Sequence, residues 1–152
     1  IRLWDAIYLE AKSFSEESLP YAKPNQVLQS MVSNWSGASH FLGIEAKIWG
    51  SSQSEMEKIW RRYFLHDWNV RWYVHSSDLV MHWERLLFKW ALVRMNLVLS
   101  GKEWKTELIR SVYSIERLVE HTWWQRRFAK AFWGLKLPVD RFFVAFYPGG
   151  EI

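Results

Sequence analysis

The chain has 152 residues, of which 49% are apolar and 24% charged, and these values are typical of one globular domain with a single core. An intrinsically disordered chain would need fewer apolar residues and a larger net charge than +4, so that class is excluded. The absence of cysteine excludes disulfides, thiolate metal sites and cysteine nucleophiles.

The aromatic content is the unusual feature, with 12 Trp, 9 Phe and 6 Tyr. Each buried aromatic side chain removes about 150–250 Å² from water. So many rings indicate either an exposed contact surface or a Trp-rich core with a few rings at its rim, and the sequence favours neither.

Charge is divided unevenly along the chain. Residues 1–57 hold four Lys or Arg and seven Asp or Glu, a balance of −3, whereas residues 58–152 hold sixteen and nine, a balance of +7. A basic C-terminal part suits nucleic acid, anionic lipid or an acidic protein partner.

The first two helical regions are predicted from their spacing. Leu3, Ile7 and Phe14 recur at helical intervals and predict a helix that ends before Pro20. Pro24 is expected to keep the following loop extended.

A second helical region is predicted over residues 26–49, with an interruption near Gly37. It carries five small residues in one stripe: Ser36, Ser39, Gly43, Ala46 and Gly50. We expect this stripe to pack inside the molecule rather than against another subunit.

The middle of the chain predicts two further helices. Ser52 and Glu55 have capping-box spacing and begin a helix that runs to about Val74. Ser77-Asp78 caps the next, over residues 79–99, which is apolar enough to lie at the centre of the fold. Its predicted core seam is Trp83, Leu86, Trp90, Val93 and Leu97, and its polar side is His82, Arg85, Lys89 and Asn96.

Charged residues within this apolar helix bear on two interpretations. Glu84, Arg85, Lys89 and Arg94 interrupt its apolar run, so no membrane span is predicted. A buried charge must be paired or change its protonation. We therefore expect Glu84 and Arg94 to form interhelical ion pairs, or to extend their charged ends to water at the edge of the core, rather than to serve as a perturbed acid.

A last helix is predicted to start with a capping box at Ser100 and Glu103 and to end by Gly134. The sequence therefore predicts an all-α, single-domain bundle of about five helices over residues 1–138, followed by an extended aromatic arm over residues 139–152. We expect one side of the arm to pack on the helices and the other to face a partner. The alternative is an arm held wholly in a groove of its own fold.

No motif predicts an enzyme, a metal site or a cofactor. The sequence contains no HExxH, GxSxG, P-loop or dinucleotide fingerprint. His75, Asp78 and His82 have the spacing of ligands on one helical face, but helix capping explains Asp78 better. A single axial haem ligand among His66, His75, His82 and His121 is a further alternative.

Arginine pairs beside aromatic residues are the candidate partner-binding elements. Such pairs are typical of protein interfaces, and they also contact phosphate and unpaired bases. The candidate residues are Arg61, Arg62 and Tyr63, then Arg126, Arg127 and Phe128, and in the arm Phe142, Phe143, Phe146 and Tyr147.

In composition the chain resembles accessory subunits of large organellar assemblies, which are helical, basic and rich in aromatic residues. This resemblance of type transfers no residue roles. The predicted function is a non-enzymatic structural subunit that docks onto other protein subunits, with a peripheral membrane contact left open. The alternatives are a helical nucleic-acid-binding protein and a haem- or metal-binding bundle. The basic balance and the start at Ile1 favour a mitochondrial location.

Overall fold

The fold is known from a computed structural model that describes residues 2–15, 22–75 and 79–120, with only the backbone described at some helix ends. All regular elements in these ranges are helices, which confirms the predicted all-α class for this part of the chain. They are α1 (Arg2–Ser15), α2 (Ala22–Ser33), α3 (Ala38–Trp49), α4 (Gln53–His75), α5 (Leu79–Leu99) and α6 (Trp104–Glu120).

Six helices lie in the described ranges, where the sequence predicted about five in all. The difference arises in residues 26–49, which form two helices separated near Gly37. Gly37 has φ 112°, a value that side-chain-bearing residues rarely adopt, so the chain leaves helical geometry there.

The expectation that Pro24 would hold a loop extended is wrong, because α2 already begins at Ala22. Pro24 therefore lies in the first turn of the helix. The backbone N–H groups of that turn have no partner within the helix, so the N–H that proline lacks is not missed there.

The small-residue stripe of α3 does not pack inside the molecule, contrary to expectation. Ser39, Gly43, Ala46 and Gly50 are all exposed, and a Cβ added at Gly43 would meet nothing within 4 Å. The buried face of α3 is instead formed by Ala38, Phe41, Glu45 and Trp49. These larger side chains reach the core, so the small residues are left on the outer face.

Helix α5 lies at the centre, as predicted, and packs against α2, α3, α4 and α6. Every residue from 86 to 99 is buried. Trp90 and Leu86 are therefore buried as the seam required, while the side chain of Trp83 lies outside the described residues. The predicted polar side is wrong for Lys89 and Asn96, because four neighbouring helices leave that face no access to water.

The junction between α5 and α6 corrects the predicted capping box. Ser100 ends α5, since its hydroxyl donates to the carbonyl of Leu97, and Gly101 with φ 66° reverses the chain. Glu103 precedes α6 and accepts hydrogen bonds from the backbone N–H groups of Lys105 and Thr106. These bonds, that of Thr106 first, hold the pKa of the Glu103 carboxyl below its usual range.

Aromatic residues fill the core in the described part of the chain. Each of the six Trp whose side chains are described is buried or half-buried: Trp4, Trp35, Trp49, Trp60, Trp90 and Trp104. Several rings stack or meet edge to face, as Trp49 and Trp104 do with centroids 5.3 Å apart. The Trp-rich core is thus the interpretation that holds here.

No helix within the described ranges is both long enough and apolar enough to cross a bilayer. The Ser77-Asp78 cap, the continuation beyond Glu120 and the arm over residues 139–152 lie outside the described residues, and so does the side chain of Glu84.

Candidate protein-docking groove

An open groove lies between α4 and α6, which both pack on α5. Its volume is about 420 Å³. We refer to it as the α4–α6 groove, and it is lined by Ile59, Tyr63, His66 and Asp67 of α4, Trp90 of α5, and Leu108, Ile109, Val112, Tyr113 and Glu116 of α6.

Two contacts across the groove show that its walls run in the same direction. Near the start of both helices, Lys105 Nζ lies 3.0 Å from Glu55 Oε2. Further along both, the hydroxyl of Tyr63 donates to Glu116 Oε1 over 2.7 Å. The lining residues of each wall span about eight positions, so the groove is about 12 Å long.

The floor of the groove covers a buried ion network. Lys89, on α5, is fully buried, and its Nζ lies 3.3 Å from Asp67 Oδ1 and 3.1 Å from Glu116 Oε1. A buried ammonium group is stable only with such partners. The network therefore ties α4, α5 and α6 together directly beneath the groove and keeps its walls in place.

Trp90 forms the apolar part of the same floor. Its ring lies 6.1 Å from that of Tyr63 and 6.5 Å from that of Trp60. Its indole Nε1 is buried and donates no hydrogen bond within the described part of the chain. A desolvated donor of this kind costs about 1–3 kcal/mol, so packing by rings holds Trp90 in position.

The rim on the α6 side is apolar and faces solvent. Ile109 is 80% exposed and Tyr113 is 63% exposed, and they lie four residues apart on one face of the helix. Both adjoin the apolar lining formed by Leu108 and Val112. The groove and this rim together make one continuous apolar surface that water reaches.

The described positive side chains of α4 and α6 face solvent, whereas most of their described acids are at least half-buried. All six described cations on these two helices are exposed: Lys58, Arg61, Arg62, Lys105, Arg110 and Arg117. Among the described acids, Asp67 and Glu107 are buried, Glu57 is half-buried and Glu116 turns towards Lys89, while Glu55 is exposed and pairs with Lys105. The outer surface is consequently more basic than the composition of the helices indicates.

Two of these cations flank the groove. Arg62 is three residues after Ile59 and four before His66, so it borders the α4 wall. Arg117 is four residues after Tyr113, and its guanidinium lies 5.8 Å from the centre of that ring. Cations therefore stand on both long edges of the apolar surface.

A second, polar cavity of about 450 Å³ lies on the other side of α6, between α2 and α5, and is lined by Val27, Ser30, Asn96, Ser100, Lys102, Glu107, Arg110 and Ser114. At its base Asn96 donates to Ser111 over 2.6 Å. Glu107 lies 3.7 Å from Lys102 and 3.9 Å from Arg110. Its charges are thus largely satisfied by one another.

The structure places three of the sequence-predicted partner-binding residues. Arg61 and Arg62 are exposed on α4, whereas Tyr63 is half-buried and lines the groove. Arg126, Arg127 and Phe128 lie outside the described residues, as do Phe142, Phe143, Phe146 and Tyr147 of the arm. Their docking role stays a prediction.

The expected ion pair of Arg94 is confirmed. Its Nε donates to Glu45 Oε2 over 2.8 Å, and its Nη2 bonds to the other carboxylate oxygen. The guanidinium also lies 4.7 Å from the ring centre of Trp4. This pair joins α5 to α3 inside the core, away from the groove.

Sequence reasoning missed Ile109, Tyr113 and the inward role of Lys89. Leu108 and Val112 form one apolar row of α6. Ile109 and Tyr113, one residue further along, form a second apolar row, and that row was the available signal.

Few of the candidate ligands for a metal or a haem have a described side chain. His66 lines the groove and is exposed, while the side chains of His75, Asp78, His82 and His121 lie outside the description. Within the described ranges, no three His, Asp or Glu side chains are grouped so as to hold a metal ion.

Comparison of the chain with protein-family models, with curated proteins and with solved structures found no match.

Proposed function

We propose that this protein is a non-enzymatic accessory subunit of a larger assembly and that it docks onto another protein through the α4–α6 groove. The observation that carries the proposal is the continuous apolar surface formed by the groove with Ile109 and Tyr113. Exposed apolar residues that stand alone, such as Leu9 and Leu65, are common on protein surfaces, whereas contiguous apolar patches mark interaction sites.

The form of the groove supports a protein partner. Its walls are two parallel helices, its floor is an aromatic ring, and its edges carry Arg62 and Arg117. Protein interfaces combine an apolar, aromatic centre with a polar rim in the same way, and Tyr, Trp and Arg are the residues that contribute most to binding.

The ion network beneath the groove supports the proposal in a second way. Lys89, Asp67 and Glu116 fix the spacing of the two walls before any partner arrives. A preformed surface loses less conformational entropy on binding than a mobile one, so more of the burial energy appears as affinity.

The proposal is tested by placing charge on the apolar rim. The double variant Ile109→Glu, Tyr113→Glu should leave the protein folded, because both side chains are exposed, but should remove it from its assembly. The measurement is migration of the tagged chain on native gels of an extract from its source cells, with the helical circular dichroism of the purified protein as a check of folding.

The matched control is Leu9→Glu, Leu65→Glu, which makes the same chemical change at two exposed leucines away from the groove. The control should migrate with the assembly as the unaltered chain does. If the groove variant also remains in the assembly, the groove is not the docking surface, and if the unaltered chain migrates alone, the proposal of an accessory subunit fails.

Nucleic-acid binding is a second candidate, supported by the six exposed cations of α4 and α6. For that function the affinity for labelled RNA or DNA should fall steeply with salt, with a slope of about one unit for each phosphate contacted. Replacing Arg61 and Arg62 should then lower both affinity and slope, whereas Ile109→Glu should leave the slope largely unchanged.

A further inference from the structure

The shape of the α4–α6 groove indicates what kind of segment fits it. Two helices lie side by side on α5 and are separated by an apolar channel about 12 Å long. A third helix laid along this surface, over the Tyr63–Glu116 contact that crosses it, covers both apolar walls at once, and helix-in-groove binding of this kind is a recurrent mode of recognition. An extended strand would find no sheet edge there to pair with.

The pattern of side chains along the walls sets the spacing that the incoming helix needs. Ile59 and Tyr63 are four residues apart on α4, and Leu108 and Val112 are four apart on α6. Apolar side chains at intervals of three and four residues on the partner would lie between these rows. Each such side chain would rest against the apolar walls.

Charge decides the chemistry of the rest of the partner helix. Arg62 and Arg117 stand on opposite edges of the groove, the acids Asp67 and Glu116 turn inward towards Lys89, and the exposed acid at the start of the groove, Glu55, is paired with Lys105. Acidic side chains on the flanks of the partner helix would meet both cations, and basic ones would be repelled by them.

The same charges disfavour a second copy of this chain. In a two-fold symmetric contact each residue faces the same surface of the other subunit, so the groove edges would bring Arg62 and Arg117 of one copy against those of the other. The part of the chain from residue 58 onward has a balance of +7, which adds to the repulsion.

We propose that the α4–α6 groove binds an acidic amphipathic helix of a protein partner, with apolar side chains at intervals of three and four residues on one face and Asp or Glu on its flanks. This inference rests on the proposed docking function and names the chemistry of the partner. It assigns Ile109 and Tyr113 to apolar contact and Arg62 and Arg117 to selection by charge.

A peptide display library tests this without knowledge of the natural partner. Random peptides of about 14 residues cover about 21 Å of helix, which exceeds the length of the groove. They are selected on the full chain and counter-selected on the Ile109→Glu, Tyr113→Glu variant. The enriched peptides should carry a net negative charge and apolar residues at helical spacing.

The selected peptides are then synthesised and measured against charge variants. Arg62→Glu, Arg117→Glu should weaken their binding by about tenfold or more, since each interfacial charge pair is replaced by a repulsion. The control Lys12→Glu, Lys47→Glu changes the net charge equally at exposed positions of α1 and α3, away from the groove, and should bind as the unaltered chain does. Affinity for the unaltered chain should also fall with salt.

Several results would overturn the inference. Enriched peptides that are basic or lack helical periodicity would do so, and so would equal weakening by the groove and control charge variants. Self-association of the chain that Ile109→Glu, Tyr113→Glu abolishes would make a second copy the occupant. If the chain enters its assembly through this rim but selects non-acidic peptides, only the charge assignment fails and the docking function stands.

Discussion

Lys89 and Arg94 are two buried cations on the same helix, and their surroundings differ. They are five residues apart and so point about 140° away from each other around α5. Arg94 makes a two-point contact with Glu45 and lies over Trp4 in the interior between α5 and α3. Lys89 bridges Asp67 and Glu116 beneath an open groove.

The choice of side chain follows the geometry of each place. A guanidinium group presents a flat fork that matches one carboxylate and also stacks on an aromatic ring, so arginine suits a single acid in a closed core. An ammonium group is a compact point charge that several acceptors can share. Lysine therefore suits the junction of three helices, where two carboxylates come from different elements.

The two sites also differ in contact with water. Arg94 with Glu45 and Lys89 with Asp67 are all almost fully enclosed, and only the side chain of Glu116 keeps 19% of its surface exposed. Arg94 makes two bonds to one carboxylate, whereas Lys89 makes a single contact of 3.3 Å to Asp67 and its second partner, Glu116, can be hydrated. The loss of the cation should therefore be felt more at Arg94 than at Lys89.

Replacing Arg94 should have the largest effect. Arg94→Met leaves the buried carboxylate of Glu45 without this partner and should lower the free energy of unfolding by about 3–5 kcal/mol. Chemical denaturation followed by circular dichroism measures the loss. The double variant Glu45→Leu, Arg94→Met removes both charges and should recover most of it. Equal losses in the single and double variants would mean that packing, not the unpaired charge, explains the effect.

Replacing Lys89 should have an intermediate effect. Lys89→Met removes the ion that Asp67 and Glu116 share. The loss should be about 1.5–3 kcal/mol, because the contact to the buried Asp67 is single and 3.3 Å long and Glu116 can turn to water. Denaturation in parallel with Arg94→Met gives the comparison directly. The variant should also bind the selected peptides less well, since the groove walls lose a common tie. A loss of stability as large as that of Arg94→Met would show that hydration of Glu116 in the open groove does not lower the cost of removing Lys89.

Glu103 is the exposed counterpart of these buried acids and should show the smallest effect. Its carboxylate accepts hydrogen bonds from Thr106 and Lys105 at the start of α6, and those bonds hold its pKa below the usual range. Glu103→Ala should lower the melting temperature slightly at neutral pH.

The sign of the pH dependence follows from the lowered pKa. The stabilisation by Glu103 is fully present above the pKa of the unfolded chain and is lost as the pH falls through the lower pKa of the folded state. Melting curves of Glu103→Ala and the unaltered chain should therefore converge in acid. A difference that persists at low pH would show that the helix start is held by something other than the charged carboxylate.

The sequence by itself determined the helical class, the extent of α5 and the buried row with Trp90. These features follow from the local spacing of apolar residues. The central position of α5 is predictable because nearly every turn of this helix is apolar on all sides. The pairing of Arg94 was predictable as a need, since a charge among apolar neighbours requires a partner. The identity of that partner, Glu45, could not be predicted, because it is 49 residues away in the chain.

Tertiary structure alone decided which faces meet and which remain open. Spacing along a helix identifies its apolar rows but not the helices that pack against them. For this reason the small residues of α3 were expected inside the molecule but lie on its surface. Lys89 was expected on a solvent-facing polar side but is buried. The groove exists because α4 and α6 both pack on α5 and stand apart above Trp90. Its walls are drawn from segments about fifty residues apart, and no local pattern records the distance between them.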